Sequence, residues 1–298
     1  MFRFLNVIAL LFGLVGAAAA ETISHSMGET DVPSDPKRIV VLTNEGTEAV
    51  LALGLKPVGA ANSWNGNPWY EHITDAMQGV EPVGKESAVN LELVAALEPD
   101  LILGNKQRHE EIYEQLSAIA PTVLSERLRG DWMVNFALYA EALGKVDEGD
   151  AIMADFKAKV ADTSAALGDR LQEEVSIIRF LPSQIRIYQK DSFSGVLLDQ
   201  VGFARPANQD VDEFALRVGK ESIPDMDGDR IFHFTWDSGD GEGEAAANDA
   251  LADPLWLSLD AVKAGNVHAV DDNIWNTAGG VLAAQLMLED IRKIYGSL

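Results

Sequence analysis

Arg38-Ile39-Val40-Val41-Leu42 and Val175-Ser176-Ile177-Ile178-Arg179-Phe180 decide the fold, because the chain repeats itself around them. The first run leads into a helical stretch ending Leu53-Gly54-Leu55-Lys56-Pro57. The second leads into Val196-Leu197-Leu198 and then Val201-Gly202-Phe203-Ala204-Arg205-Pro206. In each half a glutamate stands eight positions before an aspartate that opens an apolar strand: Glu92 and Asp100 before Leu101-Ile102-Leu103, Glu221 and Asp229 before Ile231-Phe232. Such a repeat reads as two similar α/β lobes. Two lobes leave a cleft, and clefts are where small molecules bind.

Outward from these runs, strand and helix patterns alternate in the βαβ manner that builds parallel sheets covered on both faces. The first half reads as strands at 38–42, 57–61, 100–103 and 121–124 with helices at 45–54, 90–97, 108–119 and 131–143. The second reads as strands at 175–180, 185–188, 230–235 and 267–270 with a closing helix at 279–295. Between Asp147 and Gln172, Ile152, Phe156, Val160, Ser164, Leu167 and Leu171 recur at three- and four-residue spacing without proline. This spacing predicts one helix of about 25 residues, some ~37 Å long. The expected fold is therefore α/β: two Rossmann-like lobes with central parallel sheets, at 21–146 and 173–298, joined by one long linker helix at 147–172. Asp237 to Asn248, rich in Gly, Asp and Glu, reads as a solvated loop.

Residues 1–20 combine Arg3, an apolar run from Val7 to Val15 and Ala18-Ala19-Ala20, the pattern of a secretory signal peptide, so the mature chain is expected to begin at Glu21. No later stretch approaches the ~20 apolar residues of a membrane span, and no membrane insertion is expected. Cysteine is absent, which excludes disulfides, thiolate metal sites, a cysteine nucleophile and a lipid-modified N-terminal cysteine. Export without disulfide or lipid anchor leads to the expectation of a protein free in the periplasm, with secretion to the medium the competing destination. Removing Arg3 with the leader leaves 22 basic against 47 acidic residues, a net charge of −25. Nucleic acid is excluded as a partner by that surface. An anionic ligand would need a local basic patch in the cleft.

Pro36-Lys37-Arg38-Ile39-Val40-Val41-Leu42, Glu48 with Ala52-Leu53-Gly54, Pro57-Val58-Gly59, Asn90-Leu91-Glu92 and Glu98-Pro99-Asp100-Leu101-Ile102-Leu103 together resemble the helical-backbone (class III) periplasmic substrate-binding proteins. Val218-Gly219-Lys220-Glu221-Ser222 and Trp256 before Ala261-Val262-Lys263-Ala264-Gly265-Asn266-Val267 agree, so nearly the whole mature chain is covered. These proteins serve ABC importers for ferric siderophores, haem and cobalamin. Ala120-Pro121-Thr122-Val123 and Phe193-Ser194-Gly195-Val196-Leu197-Leu198 lean towards the iron-siderophore branch. The resemblance implies a monomer that carries a ferric siderophore to a permease dimer, with no cofactor and with iron held by the chelator's own oxygens. Haem or cobalamin capture stays open, as does a secreted hydrolase using a carboxylate pair.

Ligands of open α/β sheets sit beyond the carboxyl ends of the strands. The residues there are Asn44, Glu45, Trp64, Lys106, Arg108, Arg179, Trp236 and Trp275, with Arg205 a further cation before Pro206. An aromatic and cationic set suits a bulky, negatively charged chelate, with indoles packing on its skeleton and guanidinium groups on its oxygens. Structural alternatives stand beside these roles. Tryptophans pack in cores, Lys106 and Arg108 precede the acidic Glu110-Glu111 and can be solvated ends, and Arg179 in an apolar strand needs either an internal carboxylate or the cleft. The resemblance adds that relatives place tryptophans and an arginine at about Trp64, Trp236 and Trp275 and near Lys85. Glu92 and Glu221 at helix starts would favour the helix dipole by about 0.3–1 kcal/mol. Their matched placement also resembles the family's two glutamates that dock into arginine pockets on the permease subunits. Enzymatic motifs are missing: the five histidines are scattered, no G-x-S-x-G or phosphate-cradling loop occurs, and the calcium-like run Asp225-Met226-Asp227-Gly228-Asp229 has Trp236 where a ligating glutamate belongs.

Overall fold

The computed structural model describes residues 20–296, so the expected leader lies outside the described residues except for Ala20. β1 (Ala20–His25) and β2 (Gly28–Pro33) form an antiparallel hairpin ahead of the first strand expected from the sequence. Its Ile23 and Val32 are buried, and Ser26 donates its backbone N–H to Leu124 O at 3.1 Å.

The first lobe is built from β3 (Ile39–Val41), α1 (Asn44–Ala52), β4 (Gly59–Asn62), β5 (Glu81–Lys85), β6 (Ala88–Val89), α2 (Leu91–Ala96), β7 (Leu101–Asn105), α3 (Lys106–His109), α4 (Tyr113–Ile119) and β8 (Thr122–Ser125). Its strand order is β6-β5-β4-β3-β7-β8, parallel except for β6 against β5. α5 (Trp132–Ala142) and α6 (Val146–Leu167) lead to β9 (Val175–Leu181), β10 (Gln184–Tyr188), α7 (Phe193–Val201), β11 (Ala215–Val218), β12 (Arg230–Thr235), α8 (Glu242–Leu251), α9 (Pro254–Leu257), α10 (Asp260–Ala264), β13 (Val267–Ala269) and α11 (Val281–Ile294). The second sheet runs β11-β10-β9-β12-β13, with β9, β12 and β13 parallel and β10 antiparallel to both its neighbours.

The repeat seen in the sequence has a structural cause. Asp100 accepts the backbone N–H groups of Lys37 and Arg38 at 2.7 and 2.8 Å, while its own N–H donates to Arg38 O. Asp229 accepts the N–H of Glu174 at 2.8 Å, and its N–H donates to Glu174 O. In each lobe the aspartate thus ties the entrance of the central strand to the next parallel strand, satisfying N–H groups that the ladder has not yet reached.

Two expectations need correction. The linker helix ends at Leu167, because Gly168 takes φ 54° and residues Gly168–Gln172 tighten into a 3₁₀ turn. The expected loop at 237–248 holds the start of α8. Asp237 accepts the N–H groups of Gly239, Gly241, Gly243 and Glu244, so one carboxylate caps the helix. Gly243 is required there, since a Cβ would come 2.0 Å from Trp236 O.

The lobes are not independent bodies on a tether. α11 crosses back to pack on α1, α5 and α6, and one apolar core joins Val41 and Tyr139, through Trp132 and Phe156, to Ile177, Leu197 and Trp275. The Trp132 and Phe156 rings meet edge-on at 5.1 Å. A close-packed core continuous across the lobes restrains them to small relative rotation.

Candidate ligand-binding cleft

A cavity of about 400 Å³ opens between the lobes, beyond the carboxyl ends of β9 and β12 and against residues of β10 and β11. Its second-lobe wall is cationic. Arg179 on β9 lies directly opposite Arg186 on β10, and Arg186 lies directly opposite Arg217 on β11. All three line the cavity. Like charges opposite one another on adjacent strands repel, so this row needs a counter-charge. Asp272 supplies part of it: Arg179 Nη2 donates to Asp272 Oδ2 at 2.7 Å with both side chains buried, and the Tyr188 hydroxyl lies 3.5 Å from Nη1. Burial pushes the Asp272 carboxyl up, with Arg179 pulling back. The buried Nε atoms of Arg179 and Arg186 have no hydrogen-bond partner among the described residues.

The first-lobe wall carries acids beside its own cations. Glu86 is 4% exposed and receives both the N–H and the Nδ2 of Asn44 at 2.7 and 2.8 Å. Arg108 Nε stands 3.7 Å from the other Glu86 oxygen, with its guanidinium 5.6 Å over the Trp64 ring. Glu45, in the first turn of α1, is 5% exposed and accepts from Asn135 Nδ2 at 2.7 Å. Burial raises both carboxyls, Glu45 well above the ordinary carboxylate range. Between the walls runs the 126–131 segment. Its Arg129 has φ 86°, uncommon for a residue with a side chain, and stacks its guanidinium 3.8 Å from the Phe214 ring of the second lobe. Arg127 pairs with Asp191 of the second lobe at 2.5 Å and Asp131 at 2.7 Å. Asn65 and Asn273 form another interlobe hydrogen bond at 3.1 Å.

Of the residues expected from the sequence, Glu45, Trp64, Arg108, Arg179 and Trp236 line the cavity. The others do not. Lys85, the last residue of β5, faces solvent, while Glu86, the first residue of the turn that follows, is buried. Lys106 pairs with Glu126 at 3.2 Å. Arg205 is buried, donating to Val175 O, Tyr188 O and the Gln209 amide oxygen. Asn44 is buried beneath Glu86. Trp275 is wholly buried, its ring tilted 36° against that of Phe232 at 4.6 Å, with its Nε1 donating to Asp290. The π turn at Asn273–Thr277 rotates that indole inward and leaves Asn276 and Thr277 at the cavity. Missed by the sequence reading were Arg129, Arg186, Arg217 and Glu86. Arg186 carried a usable signal, since alternation in Gln184-Ile185-Arg186-Ile187-Tyr188 puts Arg186 on the face opposite Ile185 and Ile187. Glu92 and Glu221 are exposed in the first turns of their helices and do not line the cavity.

This architecture is that of a two-lobed binding protein, and the chain belongs to the periplasmic binding protein family, whose profile matches residues 39–274. Among its relatives is a protein of Bacillus subtilis (strain 168) named "Probable siderophore-binding lipoprotein YfiY", 50% identical over 94% of this chain and 89% of the relative. The "Fe(3+)-citrate-binding protein YfmC" of the same organism is 29% identical over 93% of this chain and 86% of the relative. The crystal structure of Staphylococcus aureus SirA complexed with staphyloferrin B superposes with a TM-score of 0.85 at 32% identity, covering 92% of this chain and 98% of that one. The expected location, free in the periplasm with no lipid anchor, is overturned by the naming of YfiY as a lipoprotein. The absence of cysteine removes one attachment chemistry from these residues and does not decide where the protein resides. Among the described residues, no helix is long and apolar enough to cross a membrane.

Proposed function

We propose that this protein captures a ferric siderophore in the interlobe cleft and delivers it to an ABC importer, and that the chelate it takes is anionic, of carboxylate or citrate type. The role is binding and not catalysis, as for the family. Iron arrives as cargo wrapped in the chelator, which leaves the protein to recognise charge and shape. The observation that carries the anionic class is the row Arg179, Arg186, Arg217 across three adjacent strands. That arrangement is costly when empty and is repaid by a ligand whose oxygens accept from guanidinium groups. Trp64 and Trp236 on opposite walls supply the flat apolar surface that a chelate skeleton needs. The relative named for Fe(3+)-citrate supports the same class.

Residues 1–20 are read as the export leader, the lobes as 21–146 and 173–298, and the protein as a monomer that meets a permease dimer. Glu92 and Glu221, exposed and one to each lobe, are the docking charges in this reading. Titrating ferric citrate and a neutral ferric trihydroxamate against the protein, with tryptophan fluorescence as the signal, tests the ligand class. Tight binding of the citrate complex and much weaker binding of the hydroxamate is the expected result. The reverse order, or binding of haem or cobalamin alone, would overturn it.

A further inference from the structure

The acidic wall is at odds with a ligand that is anionic all over. Glu45 and Glu86 face the same cavity as the three second-lobe arginines, and both are nearly inaccessible. Glu86 has an explanation within the protein: Asn44 and Arg108 surround it. Glu45 has much less of one. Among the described residues its side chain accepts one hydrogen bond, from the neutral amide of Asn135, and the charges acting on it are the carboxylates of Glu86, Glu48 and Asp131. A pure polyanion would be better served by an apolar or amide wall, because buried acids either repel it or stay protonated and contribute little. A ligand bearing a cation at that end resolves both costs.

We infer that the ligand is two-sided, with carboxylate oxygens on the Arg179–Arg186–Arg217 wall and a protonated amine against Glu45, which makes Glu45 a specificity-determining residue. This rests on the anionic-chelate reading above and narrows it to aminocarboxylate chelates. The fit is geometric before it is electrostatic: Glu45 sits at the N-terminal turn of a helix on one lobe and the arginine row on a sheet of the other, so a ligand spanning the cleft meets them with opposite ends. Burial favours the protonated form of Glu45 in the empty cleft. An arriving ammonium would stabilise its ionised form, and the proton lost from Glu45 would pass to solvent.

Three probes separate the possibilities: ferric citrate, a ferric citrate derivative carrying one amide-linked 2-aminoethyl arm, and the N-acetylated form of that derivative. The ammonium probe should bind wild-type protein about tenfold or more tighter than its acetylated counterpart, as one charge-assisted contact provides. Glu45→Gln should erase that preference, bringing the affinities of the two derivatives to within about twofold of each other. Calorimetry of the wild type in buffers of different ionisation enthalpy gives a readout independent of any variant. About one proton should be released on binding the ammonium probe and none on binding the acetylated one. Equal affinity for the two derivatives, or no proton release, would overturn the inference and leave the anionic-chelate reading intact. Failure of all three chelates to bind would overturn both.

Discussion

In the first lobe an aspartate ties the central strand to its parallel neighbour, and in the second lobe the same tie recurs with a different aspartate. The two lobes share that frame and then part company on one side of it. The first lobe extends its sheet from β3 through parallel β4 and β5, whose carboxyl ends bring Glu86 and the Trp64 loop to the cleft. The second lobe instead adds two antiparallel strands to β9: β10 follows it as a hairpin, and β11 joins the far side of β10 after α7. Residues directly opposite one another on neighbouring strands share a face of the sheet, so Arg179, Arg186 and Arg217 line up across the three strands. The frame therefore sets where the cleft lies, and the departure from the frame sets its charge.

This contrast can be broken experimentally, and the largest effect is expected at Arg179. Replacing it by alanine leaves Asp272 buried and unpaired, so chemical denaturation should record a loss of about 3–5 kcal/mol. The double replacement with Asp272→Asn should recover part of that loss. An unchanged midpoint for Arg179→Ala would mean that the pair does not hold this wall. Arg186→Ala and Arg217→Ala sharpen the comparison from the other side. Each should weaken ferric citrate about ten- to a hundredfold by fluorescence titration. Without ligand, each should leave the fold as stable or raise its stability by about 0.2–1 kcal/mol, since a repulsive cross-strand pair is gone.

A smaller effect is expected on the acidic wall. Burial raises the folded-state pKa of Glu45, so the folded chain keeps a proton that the unfolded chain releases. The stability this contributes is complete below the ordinary value of 4.5 and is lost as pH rises through the raised value. Glu45→Gln should accordingly melt higher than wild type at neutral and alkaline pH, with the difference closing as the solution is acidified towards 4.5. A difference that widens on acidification would assign Glu45 a charged state in the empty cleft. The smallest effect on ligand binding belongs to the exposed pair Glu92 and Glu221. The double alanine variant should bind chelate and melt like wild type while abolishing uptake through the cognate permease. Normal uptake would remove their docking role.

Residues 38–42, 101–103, 175–180 and 230–235 were legible as strands because each is an apolar run that helices bury on both faces. The spacing of Ile152, Phe156 and Val160 likewise revealed the long helix, though not its end, which a single positive φ at Gly168 decided. Trp64, Trp236, Arg108 and Arg179 could be placed at the cleft since each closely follows, or ends, such a strand. Lys85 and Trp275 could not be told from their neighbours in the same way. Which of two adjacent side chains faces a cavity depends on the turn that closes β5 and on the π turn at 273–277, and neither leaves a compositional trace. The polar edge strand β11 was also hidden, because Leu216 and Arg217 are exposed and its pattern is not that of a buried strand. Sequence alone determined the duplicated α/β frame, since apolar periodicity and the repeated aspartates are local properties. Tertiary structure alone decided the charge of each wall, because the row Arg179, Arg186, Arg217 and the burial of Glu45 arise from strand register and lobe packing among residues distant in the chain.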